Sequence, residues 1–178
     1  MKDIKLKQKI IVGIVLITLL FISSIVTAQH RQRSPPVLRE ISNQTIVLSV
    51  FPDAVNVETY NSYWYKIKNS SDKTLGFAMS STDFCKEVKG RNGHTPVLIV
   101  TDKSFIIKKV ALLSNYETLS YANLLEKNGF FNSWVGNKIT KAKSVSVDGY
   151  TGATITANSV RKHMDFLLAE GIKKLPKK

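Results

Sequence analysis

Chemistry in this sequence is concentrated in Asp148-Gly149-Tyr150-Thr151-Gly152-Ala153-Thr154-Ile155-Thr156, a run of small and hydroxyl residues with almost no bulk. Gly149 and Gly152 permit backbone conformations closed to other residues, and Ala153 leaves room beside the Thr154 hydroxyl for a large group. The apolar spacing that follows predicts a helix. Helix N-termini carry orphan N–H groups and the positive end of the dipole, so a phosphate esterified to Thr154 would sit where its charge is best compensated, with Asp148 just upstream. The plainer reading makes Thr151, Thr154 and Thr156 turn and N-cap residues, and on spacing alone that reading is favoured.

The elements that must position this run are legible around it. Val160, Met164, Leu167, Leu168 and Ile172 share one face of a helix expected over about 156–173, with Gly171 and Pro176 near its end. Tyr63 to Lys68 alternates and pairs with Thr74 to Ser80 through a turn at Asn69–Asp72, with Gly76 allowing close backbone approach. Pro96–Thr101 and Phe105–Leu113 form a second pair around Asp102-Lys103-Ser104, giving four expected antiparallel strands. Leu119–Lys127 reads as a helix stopped by Asn128-Gly129, and Phe130, Phe131 and Trp134 supply core aromatics. Residues 37–51 fit helix and strand alike: Leu38, Ile41, Thr45 and Leu48 have helical spacing, whereas 46–50 is β-branched. The fold class expected is α+β: an N-terminal transmembrane helix, then one domain with an antiparallel sheet packed against helices.

Ile10 to Ala28 carries no charge and is long enough to cross a bilayer as a helix. Lys2, Lys5, Lys7 and Lys9 against Asp3 place the N-terminus in the cytoplasm and the rest outside it. A cleaved signal peptide competes with this reading, since Val26-Thr27-Ala28 offers small residues for a peptidase. The organisation expected is an anchor over 1–29, a spacer over 30–36 containing Pro35-Pro36, and one domain over 37–178.

The motif Asp148-x-x-Thr151-Gly152-Ala153-Thr154 resembles the flavinylation motif of the FMN-binding domain family, which includes subunits of sodium-pumping NADH:quinone reductase and of Rnf-type electron-transport complexes. Phe51-Pro52-x-Ala54, Gly76-Phe77, the strands around Asp102, Glu117-Thr118 and Phe130 to Gly136 occur in the family's order. The resemblance implies covalent FMN, joined by a phosphoester to Thr154 and installed by a flavin transferase that uses FAD and a metal ion. It further implies that Asp148, Thr151, Gly152, Ala153 and Thr156 surround the attachment, with Glu117, Thr118, Gly93 and Thr95 as weaker candidates for the flavin. The family commonly follows its Glu-Thr with Pro-Gly; this chain has Leu119-Ser120 instead.

Other chemistries have little support. Cys85 is the lone cysteine and His30, His94 and His163 are scattered, so neither a disulfide nor a metal site is expected, and His163 reads as a helix-surface residue. No nucleotide-binding glycine fingerprint and no nucleophile elbow appear. The net charge of +13 falls to +10 once the four anchor lysines and Asp3 are set aside; that charge is scattered, which argues against nucleic acid.

The expected function is therefore membrane-anchored electron transfer, with redox partner subunits in the membrane and no catalytic residue of the chain's own: a carrier subunit more than a free-standing enzyme. The rival is a cofactor-free anchored basic module that binds lipid, cell-wall polymer or an acidic protein. A flavoenzyme with its own small acceptor is a third possibility.

Overall fold

Between Ala54 and Leu112 the chain forms a meander whose outer strands mix apolar and polar residues and whose central strands are continuously apolar, as burial on both faces requires. The computed structural model describes residues 36–147 and 152–177. Strands β1 (Ala54–Thr59), β2 (Trp64–Asn69), β3 (Thr74–Ser80), β4 (Val97–Asp102) and β5 (Ile107–Leu112) pair antiparallel in chain order. Both expected turns are closed by side chains that mimic backbone acceptors. Asn69 Oδ1 takes the N–H groups of Ser71 and Lys73, and Asp102 Oδ1 those of Ser104 and Ile106. A Cβ on Gly76 would run into the Thr101 carbonyl and come within 2.7 Å of the Phe51 ring, which is why no side chain stands there.

β1 is a fifth strand beyond the four expected. Val55 and Val57 alternate with Asn56 and Glu58 as strand residues do, yet they are 67% and 47% exposed, so this edge strand buries little of its own. The ambiguous stretch ahead of it resolves as helix α1 (Asn43–Leu48), where Ser42 caps the Thr45 N–H at 3.3 Å. Ile46 and Val47 then pack on one sheet face against Ile67, Ala78, Leu98, Val100 and Leu113.

The other face carries the larger core. Helix α2 (Leu119–Lys127) keeps the bounds expected of it, ending at Asn128 with Gly129 at φ 72°. Two 3₁₀ turns follow, Phe130–Trp134 and Ile139–Ser144, then helix α3 (Thr154–Glu170) and a closing 3₁₀ turn Gly171–Lys174. Val160, Met164, Leu167 and Leu168 of α3 are buried with Trp64, Met79, Ile99 and Phe130. The α+β class with helices packed on an antiparallel sheet is thus observed.

His163 corrects the surface placement. It is fully buried, its Nδ1 2.9 Å from the Ser81 hydroxyl and its Nε2 3.4 Å from the Val88 carbonyl, so α3 presses it onto the long connection between β3 and β4. Burial lowers its pKa to about 4, against the Val88 hydrogen bond, with the charge of His94 adding a smaller push in the same direction.

The expected anchor and spacer, through Pro35, lie outside the described residues, as do Asp148, Gly149, Tyr150 and Thr151. Among the described residues no helix is long and apolar enough to cross a membrane.

Candidate functional site

The start of α3 is built for access. Gly152 adopts φ 93°, which side-chain-bearing residues rarely reach, and Leu124 of α2 closes over it. Ala153 is the N-cap, buried and without a side chain able to accept an N–H, and no acidic residue stands in the first turn. The helix therefore begins two residues earlier than its apolar stripe implied, and Thr154 is its first residue. Thr154 is exposed and Thr156 is buried.

A cavity of about 230 Å³ opens against this turn, lined by Arg91, Tyr121 and residues 152–156. A larger open groove of about 550 Å³ lies between α1 and the sheet face it covers; it is mostly apolar, and none of residues 152–156 lines it.

Glu117 holds the smaller site together. It is only 3% exposed, and its carboxylate accepts the Arg91 N–H at 3.1 Å, the Asn92 N–H at 2.8 Å and the Thr156 hydroxyl. One buried charge thus ties the glycine-containing loop to the first turn of α3 through charge-assisted hydrogen bonds. Gly90 makes the approach possible, since a Cβ there would meet the Glu117 carboxylate at 2.7 Å and Thr95 at 2.8 Å. Asn115 aims the carboxylate by accepting the Glu117 N–H at 2.9 Å, and Asn115 is itself bridged to Arg39 by paired backbone bonds.

The candidate residues separate by what they touch. Gly152, Ala153, Thr154 and Thr156 line the cavity, though the Thr156 hydroxyl is engaged by Glu117. Thr95 is buried and its hydroxyl lies 2.6 Å from that of Ser159, a second tie between loop and α3. Gly93 closes the loop by accepting the Gly90 N–H, and Thr118 accepts from the Asn92 amide at 3.1 Å. Gly93, Thr95, Glu117 and Thr118 stand around the site without lining the cavity. Asp148 and Thr151 lie outside the described residues. Sequence reasoning missed Arg91 and Tyr121. The signal available was a single arginine between Gly90 and Gly93; that its guanidinium would sit 5.7 Å from the centre of the Tyr121 ring was not readable.

Residues 90–169 match the model of the FMN-binding domain family. Among solved structures, the crystal structure of NqrC from Shewanella oneidensis is similar at 16% identity with a TM-score of 0.43, covering 72% of this chain and 72% of that one. No curated protein matches the chain.

The residues present fit FMN. A dianionic ester of phosphoric acid, or the monoanionic diester it becomes on attachment, is suited to a helix N-terminus with no acid in its first turn and an arginine beside it. Ala153, Ile155 and Tyr121 offer apolar surface to a planar ring. Among the described residues no group of three or more His, Cys, Asp or Glu side chains could hold a metal.

Proposed function

We propose that this chain is an electron-transfer flavoprotein carrying FMN as a phosphoester on Thr154, in a membrane redox chain outside the cytoplasm. The observation that carries the attachment site is the contrast between two threonines of one helical turn: Thr154 is exposed at the first position of α3, while the Thr156 hydroxyl is buried and bonded to Glu117. A transferase can reach the first and not the second.

In the attachment step the Thr154 Oγ–P bond forms, the pyrophosphate P–O bond of FAD breaks, AMP leaves, and the hydroxyl proton passes to the transferase. Bound FMN supplies one- and two-electron chemistry. The chain's own residues position it: the first turn of α3 compensates the phosphate charge, Glu117 fixes the loop against that turn, and Tyr121 and Ile155 present apolar surface. A covalent bond prevents loss of the cofactor outside the cell. Residues 1–29 as anchor, with 30–36 as spacer, would hold the domain at high local concentration near partner subunits in the membrane.

The test is intact mass and visible absorption of the protein co-expressed with a flavin transferase. Wild type gains one FMN and flavin absorbance that survive denaturation, and Thr154→Ala, shown folded by circular dichroism, gains neither. A folded wild type without flavin, or a flavinylated Thr154→Ala, contradicts the proposal.

A further inference from the structure

We propose that the Arg91 guanidinium is the cationic partner of the phosphate carried at Thr154, an inference that rests on the flavinylated reading above. Arg91 lines the same cavity as Thr154. Its backbone is fixed to the first turn of α3 by the shared carboxylate of Glu117, which takes the Arg91 N–H and the Thr156 hydroxyl. Its guanidinium rests over Tyr121, 5.7 Å from the ring centre, a cation–π contact that favours this placement of the fork.

Two features show that this arrangement wants an anion. Among the described residues Arg91 has no ion pair: the carboxylate nearest its backbone, Glu117, spends its oxygens on N–H and hydroxyl donors. The positive end of α3 also faces the cavity with an alanine N-cap and no acid in its first turn. A cation beside a helix N-terminus is electrostatically unfavourable by itself, and an anion between the two turns both fields to advantage. Arginine suits the task because its planar donors match two oxygens of one phosphate, which a lysine ammonium meets only as a point charge.

The experiment is a thermal cycle on full-length chain, with and without flavin, in wild type, Arg91→Gln and Arg91→Lys. Flavinylation raises the melting temperature of wild type more than that of Arg91→Gln, by about 3 °C, and the gap narrows as salt screens the pair. Arg91→Lys recovers part of the gap. Equal increments in wild type and Arg91→Gln overturn the proposal. A second measurement needs no variant: phenylglyoxal modification of Arg91, followed by peptide mass, slows several-fold on flavinylation of wild type. Unchanged reactivity overturns the assignment while leaving the flavin on Thr154 established. A wild type that takes up no flavin overturns both.

Discussion

Replacing Glu117 by alanine tests the strut between the loop and α3. Its carboxylate serves the Arg91 N–H, the Asn92 N–H and the Thr156 hydroxyl from a position only 3% exposed. A hydrogen bond to a charged group contributes roughly 1.5–3 kcal/mol net. Arg91 and Asn92 are exposed, so water replaces much of what their N–H groups lose. The buried Thr156 hydroxyl has no such substitute and its loss counts in full. The expected cost of Glu117→Ala is therefore about 3 kcal/mol, well short of three full bonds. Thr156→Val removes one donor and costs about 1.5 kcal/mol. Because both changes break the same bond, the double variant should cost less than the two singles together, by about 1 kcal/mol or more. Urea unfolding followed by far-ultraviolet circular dichroism measures all four proteins, with the slope checked for constancy. Strict additivity, or a Glu117→Ala cost under about 0.5 kcal/mol, would refute the strut.

Three further outcomes are expected. Gly152→Ala forces a side chain onto a φ of 93° and should cost about 1–2 kcal/mol in the same unfolding assay while reducing flavin incorporation by co-expressed transferase. His163 has a folded-state pKa lowered to about 4 from 6.5, so the unfolded chain binds its proton first; its contribution is complete above pH 6.5 and drains away as the pH falls toward 4. His163→Gln should flatten the stability profile across that window, and an unchanged profile would show that the ring titrates normally. Gly90→Ala drives a methyl into the Glu117 carboxylate and should lower both stability and flavin incorporation, whereas Gly93→Ala, with nothing closer than 3.8 Å, should change stability little.

What could be read from the sequence follows what each element buries. α2 and the α3 stripe were legible because their apolar residues recur at helical spacing and face one core. The hairpin turns were legible because Asn69 and Asp102 act locally. β1 was not read, although Val55 and Val57 alternate with Asn56 and Glu58, since a six-residue edge strand with outward valines buries little and owes its conformation to pairing with β2. His163 was misplaced because its burial depends on Ser81 and Val88, more than seventy residues away in the chain, converging on α3. At the site, the threonine motif was visible as local composition, and Glu117 entered through resemblance. Its physical role as the tie between Arg91, Asn92 and Thr156 exists only once the loop and the helix meet.

The central claim is the attachment of FMN to Thr154, and peptide mapping tests it most directly. Trypsin should release residues 144–161 of the flavinylated protein as one peptide holding Thr151, Thr154 and Thr156 together. The account predicts that this peptide carries one FMN and that fragmentation places it on Thr154. FMN on Thr151, on Thr156 or on any other peptide, or flavin released on denaturation with the peptide unmodified, would contradict it.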